Sequence, residues 1–443
     1  MKDTPQPRTP EEVAPRPKQS GGIALSLGSS AVWTERMLET LERGIIGGKW
    51  YSLIDKVWDQ GTLRMAAQAV VAKDGSAGVD GESCEALDEH LEEIIELLSQ
   101  QLKAGRYRPK PVKRVWIDKP GTTEKRPLGV PTVRERVVQT ALLYVLEPIF
   151  ESDFAEHSYG FRPRRRAQQA VERVEGLLRE GKVWVVDVDF KGYFDSIPQI
   201  PLERLVAAKV ADGRVLELVR QYLRQGVMET AKGWQPTEQG TPQGAVISPL
   251  LANIYLNPLD HQMAQAGQEM TRYADDFIVQ CQTKAEAEAV LAEVQAWAAA
   301  AGLTVHPQKT RIVDASQPGG FDFLGWHFER SWKWPREKSE QRFRETIRKQ
   351  TRRTAGLAMS EIIAGLNRRV KGWVGYFRGG NGDVYDRLDG WIRMRLRSIQ
   401  RKRDRRQGRG RGLDHHRYPN AYWAELGLIS LKALARAKPS NPA

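Results

Sequence analysis

Apolar residues recur along most of the chain at intervals of three and four positions, the spacing that places them on one face of a helix. The clearest helix covers residues 85–103, where Leu87, Leu91, Ile94, Leu98 and Leu102 share a face and a glycine follows the last turn. We predict further helices over residues 32–72, with a break at Gly47 and Gly48, and over 133–149, 166–181, 201–209, 213–225, 246–264 and 284–301.

Shorter segments are typical of strands, and they divide the chain into two blocks. Residues 112–117 alternate between apolar and polar positions before a turn at 119–125, and residues 183–190 form a mostly apolar run. Residues 270–282 predict a β-hairpin with acids at its tip, and short strands follow near 303–314 and 321–328. Three long basic helices are predicted beyond them, at 336–355, 359–377 and 383–404, so an α/β block precedes an all-helical block.

The composition excludes several classes of protein. The chain has 443 residues, 40% of them apolar and 28% charged, with no run of 18 apolar residues and no secretory leader pattern. We therefore expect a soluble intracellular protein with no membrane partner. The two cysteines, Cys84 and Cys281, are too few for a disulfide scaffold or a cysteine-based zinc site. Residues 1–30 are rich in Pro, Gly and Ser, which predicts a disordered tail.

The surplus positive charge lies entirely in the C-terminal quarter. The whole chain carries +13, but residues 331–443 carry a net +18 and residues 1–330 a net −5. A solubilising helix face is one interpretation of such a region. Here, however, Trp332, Trp334 and Trp391 are among several aromatic residues interleaved with the cations. Aromatic rings beside phosphate-binding cations are typical of proteins that bind single-stranded or structured RNA, so we predict a nucleic-acid partner.

Two acidic segments stand out because their carboxylates fall beside apolar runs. Asp187 and Asp189 lie near the end of the predicted strand 183–190, and Asp275 and Asp276 lie at the hairpin tip. Such carboxylates are costly to bury unless they are paired or bind a metal. Acids from two neighbouring strands can hold two Mg²⁺ ions about 3.5–4 Å apart. An ordinary acidic turn is the alternative, and the two-residue period of a strand leaves Asp187 and Asp189 as rivals.

Ordered sequence blocks surround these acids and extend over residues 35–430. The sequence resembles the reverse transcriptases of the group II intron-encoded, or maturase, type. The matching segments, in the order of that family, are AGVDG at 77–81, YRP at 107–109, RPLGVP at 126–131, SYGFRP at 158–163, DFKGYFD at 189–195, GTPQGAVISPLLAN at 240–253, YADD at 273–276, LTVHPQKT at 303–310, FLGW at 323–326 and GWVGYFR at 372–378. Ordered blocks are far more specific than any one of them.

The resemblance implies an α+β right-hand polymerase, in which fingers and an antiparallel-sheet palm precede an all-α thumb or maturase X domain. The implied divisions are a disordered tail (1–30), an N-terminal helical extension of the fingers (31–105), the fingers and palm (106–330), the thumb (331–410) and a basic C-terminal segment (411–443). The implied function is RNA-directed DNA synthesis, with binding of intron RNA to assist splicing and mobility. Two alternatives stay open: a domesticated enzyme in DNA repair or phage defence, and a splicing-only RNA-binding maturase.

The resemblance also implies roles for individual residues. Its catalytic and metal-binding triad falls on Asp189, Asp275 and Asp276, with Phe190 as a further metal ligand and two Mg²⁺ ions as cofactor. Phe194 takes the position of an aromatic gate that leaves no room for a 2′-hydroxyl, so that dNTPs are preferred. The remaining residues expected to bind the nucleotide are Lys113, Lys119, Arg126, Gln243, Gly244 and Lys309.

The implied partners are a group II intron RNA, an RNA template, a DNA primer or target, and dNTPs. The implied location is the bacterial cytoplasm, in association with ribonucleoprotein or nucleoid, and the sequence leaves the oligomeric state open. Many relatives carry a further HNH endonuclease with paired Cys-x-x-Cys motifs, which this sequence lacks. We therefore expect no nicking of the second DNA strand. The residues expected to bind nucleic acid are Arg368, Arg369, Lys371, Trp373, Tyr376, Arg378, Arg401 and Arg403.

Overall fold

The computed structural model describes residues 25–44, 48–118, 125–330, 332–354, 356–381, 383–406 and 412–437. The helices in these ranges are α1 (Leu27–Val32), α2 (Glu35–Arg43), α3 (Ile54–Trp58), α4 (Gln60–Val71), α5 (Cys84–Glu89), α6 (Leu91–Lys103), α7 (Val133–Glu151), α8 (Ala167–Arg179), α9 (Tyr193–Ser196), α10 (Gln199–Lys209), α11 (Gly213–Arg224), α12 (Ser248–Gln265), α13 (Lys284–Ala300), α14 (Glu337–Gln350), α15 (Met359–Tyr376), α16 (Asp383–Arg403), α17 (Asp414–Arg417), α18 (Asn420–Glu425) and α19 (Leu431–Arg436). The strands are β1 (Val112–Asp118), β2 (Lys125–Val130), β3 (Trp184–Val188), β4 (Val227–Glu229), β5 (Gly233–Gln235), β6 (Glu269–Tyr273), β7 (Asp276–Cys281), β8 (Arg311–Asp314), β9 (Phe321–Phe323), β10 (Trp326–Glu329) and β11 (Trp332–Pro335).

The central sheet has four antiparallel strands in the order β6–β7–β3–β8. Its two faces are both covered, which explains why β3 and β7 are nearly continuous apolar runs. Val186 and Phe277 belong to the cluster that includes α12 and α13 residues, whereas Val185 and Ile278 pack with α8 residues. The hairpin predicted at 270–282 is confirmed as β6 and β7.

A second sheet has four strands in the order β2–β1–β4–β5. β1 and β2 form an antiparallel hairpin, and β1 pairs with β4 in parallel through Val112 and Val227. The sequence predicted only β1. β4 and β5 have three residues each, and β2 contains Pro127 and Gly129, so none of them has a strong strand pattern. The turn predicted at 119–125 falls almost wholly outside the described residues.

The N-terminal helices pack on α7, which begins at a capping box formed by Thr132 and Glu135. The helix predicted at 85–103 is interrupted at His90, and the segment predicted at 32–72 contains three separate helices. α1 also belongs to this layer, because the buried Ser29 hydroxyl donates a 2.8 Å hydrogen bond to Glu147. The prediction of a disordered tail is therefore wrong for residues 27–30, and residues 1–24 lie outside the described part of the chain.

A third, three-stranded sheet joins the two blocks of the chain. Its order is β11–β10–β9, and Trp326 and Phe328 of β10 are fully buried. β11 lies in the stretch that the charge pattern assigned to the basic block, so the predicted division at residue 330 falls within this sheet. The sheet meets the helical block where Trp326 contacts Phe377 edge to face, with ring centroids 5.0 Å apart.

The helical block has a core of its own, built from α14, α15 and α16. Trp423 of α18 and Leu431 of α19 are fully buried in the same core. Asp389 on α16 accepts hydrogen bonds from the Ser430 hydroxyl and the Leu431 main chain, which anchors the start of α19. Part of the predicted basic C-terminal segment thus completes the core of the helical block.

The α+β class with antiparallel sheets and a helical C-terminal region, predicted from the sequence, is confirmed. Among the described helices, none has the length and apolar character needed to cross a lipid bilayer.

A buried ion pair fixes the acidic hairpin to the helix behind it. Arg272 on β6 and Asp260 on α12 have side chains only 1% and 4% exposed, and they bond through two nitrogen–oxygen pairs, one of them 2.7 Å long. The Arg272 guanidinium also donates to the side chain of Asn253 at 2.9 Å and to the Ala274 carbonyl at 2.8 Å. The Arg272 guanidinium therefore donates to acceptors on α12 and at the hairpin tip at the same time.

We expect Arg272→Met to destabilise the protein by about 3–5 kcal/mol, because the carboxylate of Asp260 would stay buried without a counter-charge. Urea unfolding followed by circular dichroism measures the change. The matched control is Arg64→Met, which removes an arginine from the exposed pair with Glu92 and should leave the midpoint nearly unchanged. Equal effects of the two substitutions would contradict this assignment.

Candidate active site

The register of the central sheet brings the two acidic segments together. β3 and β7 are antiparallel, with Val188 opposite Phe277. Asp189 directly follows β3, and Asp276 is the first residue of β7, so both acids lie at the end of this ladder. Asp275 precedes Asp276 at the hairpin tip. The structure therefore places the three predicted acids at one end of the two central strands.

The charges of these carboxylates disfavour one another. Protein packed around the hairpin raises the pKa of Asp276 to about 7, with further contributions from Asp187, Asp275 and Asp189, although the side chain keeps an open face to solvent. Burial and the charge of Asp189 also raise the pKa of Asp275. A cluster of acids with raised pKa values is typical of sites that bind a cation or hold a proton.

Two basic side chains from the segment after α13 reach into the cluster. Lys309 Nζ lies 3.2 Å from Asp189 Oδ2, and Arg311 Nε lies 3.3 Å from Asp187 Oδ2. Arg311 is bound to β3 by the ladder itself, where it pairs with Asp187. Asp187 thus has a cation built into the sheet, whereas Asp189 pairs with Lys309, which lies outside the strands.

The donor chemistry of the site fits a hard divalent cation. Carboxylate oxygens are the ligands that Mg²⁺ prefers. Burial and the neighbouring acids raise the pKa values of Asp275 and Asp276, so a bound cation would favour their charged forms. Within the described ranges, no three His, Cys, Asp or Glu side chains form a ready metal cage. Mg²⁺ suits such an open site, because it keeps several waters and takes substrate phosphates as ligands. The ring of Phe190 is buried against Tyr193 and Phe277, so only its main chain can serve as a ligand.

The acidic tip is held from outside by the segment SYGFRP. Tyr159 N donates to the Arg272 carbonyl at 2.8 Å, and the Asn253 amide donates to the Gly160 carbonyl at 2.8 Å. A Cβ on Gly160 would lie 2.2 Å from Ala274 N, so only glycine allows this approach. Ala274 itself has a φ of +60°, a strained value for a residue with a side chain. Contacts on both sides of the tip therefore hold it in an unusual conformation.

The loop at 240–244 packs against the segment that follows Asp189 and lines a cavity with Asp195. Its Thr241 N donates to the carbonyl of Phe194 at 2.7 Å, and the Gln243 amide donates to Asp195 at 2.8 Å. Phe194 is half-buried and meets Tyr193 edge to face. Gly244 has a φ of +105°, and a Cβ there would lie 2.6 Å from the Gly129 carbonyl. Glycine at position 244 therefore allows β2 of the second sheet to pack directly against this loop.

The predicted finger cations differ in where the structure places them. Burial raises the pKa of both Asp195 and Asp275, and the charge of Arg126 opposes that rise at both carboxylates, which places Arg126 near the site. Lys113 is exposed on β1, and Lys119 lies outside the described residues. Arg114, which the sequence analysis missed, lines a cavity of about 380 Å³ together with Asp195. Strand alternation is the signal that could have found it, since Arg114 and Lys113 point to opposite faces of β1.

The residues predicted to bind nucleic acid fall into two groups. Arg368, Arg369 and Lys371 are exposed on α15. The others contact the protein itself. Trp373 stacks on Phe343 at 4.7 Å. The other four residues donate hydrogen bonds within the protein. The acceptors are the Leu324 carbonyl for the Tyr376 hydroxyl, the Ala437 carbonyl for Arg378, the Asp414 carboxylate for Arg401 and the Leu357 carbonyl for Arg403.

Comparison with known families agrees with this geometry. Residues 117–328 match the family described as reverse transcriptase (RNA-dependent DNA polymerase), and residues 340–418 match the group II intron, maturase-specific domain. The chain is similar to Protein YkfC of Escherichia coli (strain K12), with 33% identity over 304 residues that cover 59% of this chain and 79% of YkfC. The chain therefore belongs to the reverse transcriptase family, in the group that also carries a group II intron maturase domain.

Similarity to other proteins is more partial. The group II intron-encoded protein LtrA of Lactococcus lactis subsp. cremoris is 38% identical over 193 residues, which are 43% of this chain but 32% of LtrA. The chain thus spans about a third of the length of that relative. A solved structure of telomerase from Candida albicans with a fragment of telomeric RNA covers 72% of this chain and 64% of its own, at 12% identity and a TM-score of 0.41. A likeness this distant supports no assignment.

We expect Gly160→Ala to destabilise the protein by roughly 1–3 kcal/mol, because the new methyl group must displace the backbone of the hairpin tip at Ala274. Gly176→Ala in α8 is the matched control. Its Cβ would meet nothing within 4 Å, so it should stabilise the helix by about 0.5–1 kcal/mol. Thermal unfolding of both variants measures the difference, and a neutral Gly160→Ala would contradict the close approach.

Proposed function

We propose that this chain is an RNA-directed DNA polymerase of a group II intron, which copies RNA into DNA by two-metal nucleotidyl transfer. The observation that supports this most strongly is the pairing of β3 with β7, which brings Asp189, Asp275 and Asp276 to one end of the central strands. Reverse transcriptases use divalent metal ions, and the crowded carboxylates fit Mg²⁺ in charge and donor type. The alternative, a domesticated reverse transcriptase that acts in DNA repair or phage defence, would use the same catalytic acids.

In this proposal Asp189, Asp275 and Asp276 hold two Mg²⁺ ions. When bound, such ions lower the pKa of a primer 3′-hydroxyl and neutralise the leaving pyrophosphate. Lys309 compensates the charge of Asp189 while no substrate is bound, and its exposed ammonium group is free to turn toward a phosphate. Arg126, with its fixed fork of donors, orients the triphosphate from the fingers side.

In this proposal, Phe194 and the loop at 240–244 select dNTPs over NTPs. Phe194 presents a half-buried ring whose main chain is held by Thr241, so the ring cannot retreat easily from a bulkier sugar. Gln243 is fixed by Asp195, and Gly244 brings the fingers sheet against the loop. These contacts give the ring a fixed distance from the metal-binding acids.

The helical block supports the second part of the proposal, in which the chain binds intron RNA and assists its splicing and mobility. It matches the maturase-specific domain over residues 340–418, and residues 331–443 carry a net charge of +18. Arg368, Arg369 and Lys371 are exposed on α15 and available to phosphates. Splicing requires no catalytic group on the protein in this proposal, because a folded intron supplies its own chemistry.

We expect Asp276→Asn to lower primer extension on an RNA template by several orders of magnitude, because the site loses the charge that binds and uses the metals. Asp189→Asn should have the same effect. Asp187→Asn should retain activity within roughly tenfold, since the amide oxygen can still accept from Arg311. Single-turnover extension with dNTPs and Mg²⁺ measures all three.

The control is Asp314→Asn, a carboxylate in the same sheet that caps the turn at Ser316 and should leave extension unchanged. Normal cDNA synthesis by Asp276→Asn would overturn the polymerase proposal. A folded wild-type chain that binds RNA but extends no primer would favour the splicing-only alternative.

We expect Phe194→Ala to raise the use of NTPs relative to dNTPs by at least about tenfold, because removal of the ring opens space for a 2′-hydroxyl. Phe194→Tyr keeps the ring and should keep the preference. The ratio of kcat/KM for dCTP and CTP on one RNA template gives the answer. If Phe194→Ala discriminated as well as the wild type, another residue would be the gate.

A further inference from the structure

One aromatic ring on the helical block is surrounded by three arginines. The guanidinium carbons of Arg344, Arg395 and Arg348 lie 4.8, 5.5 and 5.8 Å from the ring centroid of Trp391. Arg344 and Arg348 are one turn apart on α14, and Trp391 and Arg395 are one turn apart on α16. We call these four residues the Trp391 cluster.

Acidic side chains compensate only part of this charge. Arg344 bonds Glu340 at 2.8 Å, and Glu340 also binds Arg387. Within the described residues, Arg348 has neither a carboxylate nor any hydrogen-bond acceptor for its guanidinium. Arg395 bonds Thr351 at the end of α14, and burial and the charge of Arg348 lower its pKa. The cluster therefore holds three arginines around one ring, and among the described residues only Arg344 has an acid partner.

The positive charge continues beyond the cluster along the end of α14. Lys349, Arg352 and Arg353 are exposed there, and residues 346–353 contain no acid. The other basic side of α16 is different, because Arg397 bonds the Tyr418 carbonyl and Arg401 bonds Asp414. The C-terminal segment thus supplies acceptors to Arg397 and Arg401, whereas Arg348 and Arg395, where α14 meets α16, have no acid partner among the described residues.

Stacking on an indole ring gives these arginines a particular property. A guanidinium that lies over an aromatic face is held in place without use of its N–H donors, whereas a carboxylate partner would occupy them. The donors of Arg348 then stay available in a preordered geometry, which reduces the entropy lost on binding a ligand. Phosphate is the acceptor that best matches such donors, and several exposed cations in succession match a chain of phosphates.

We propose that the Trp391 cluster, with the exposed cations at the end of α14, binds the phosphate backbone of a folded RNA. The inference deepens the proposed RNA-binding role and rests on it, but it does not depend on the polymerase activity. The proposed RNA contact lies on a surface formed by α14 and α16. This surface contains neither the catalytic acids nor the exposed cations of α15. Compared with an acidic peptide, RNA offers the regular succession of charges that the cations at 348, 349, 352 and 353 fit.

The test compares Arg348→Gln/Arg352→Gln with the wild type on two nucleic acids. Filter binding to an in vitro transcribed, folded group II intron RNA at about 0.15 M salt should show roughly a tenfold loss of affinity. The slope of log affinity against log salt should fall by about 1.5, as expected for two lost phosphate contacts. Extension of oligo(dT) on poly(rA) should stay within about twofold of the wild type.

Arg179→Gln/Lys284→Gln is the matched control, since it removes the same charge from two helices of the α/β block. It should retain RNA affinity, and circular dichroism melting should show both double variants folded. Equal losses of RNA affinity in the two double variants would overturn the proposal, as would unchanged binding by Arg348→Gln/Arg352→Gln.

Two other results would assign the surface to a different ligand and also overturn the proposal. Loss of poly(rA) extension by the same factor as RNA affinity would place the cluster on the path of the primer and template. Competition by polyglutamate that is as strong as that of RNA, and that disappears in Arg348→Gln/Arg352→Gln, would indicate an acidic protein. A wild type without extension activity, whose variant still loses RNA affinity, would refute the polymerase and leave this inference standing.

Discussion

The geometry of the acidic site depends on one buried cation. Arg272 is almost fully enclosed, and its guanidinium is shared among Asp260 and Asn253 on α12 and the carbonyl of Ala274. A buried ion pair contributes little net stability, but it has strict geometric requirements, because each unmet donor or acceptor is costly. The hairpin tip therefore has one arrangement in which all these groups are satisfied. That arrangement directs Asp275 and Asp276 toward the end of β3.

The acidic site has the opposite character, since its charges are not satisfied by the protein. Burial and the neighbouring acids raise the pKa values of Asp275 and Asp276, and Lys309, which pairs with Asp189, has an exposed side chain. A fully neutralised cluster would be more stable but would have no affinity left for metal ions and phosphates. The rigid network around Arg272 supplies the fixed frame in which such an unsatisfied cluster can persist.

The same division between satisfied and unsatisfied charge organises the helical block. Arg397 and Arg401 serve the structure, because the C-terminal segment supplies their acceptors and packs Trp423 and Leu431 into the core. Arg348 and the exposed cations of α15 have no such partners among the described residues. A basic sequence thus contains both structural and functional cations, and only the identity of their neighbours distinguishes them.

The sequence by itself determined the class of fold, the reverse transcriptase motifs and the identity of the acidic segments, because apolar periodicity and ordered motifs are local properties of the chain. It also located the hairpin of β6 and β7. Tertiary structure decided the rest. Which of Lys113 and Arg114 faces the cavity depends on strand register, and the short strands β4, β5 and β11 exist only through their partners. Trp373 and Trp391 are both aromatic residues in a basic block, yet Trp373 stacks on Phe343 whereas Trp391 lies against arginines. The packing between distant segments of the chain decides which neighbours each ring has.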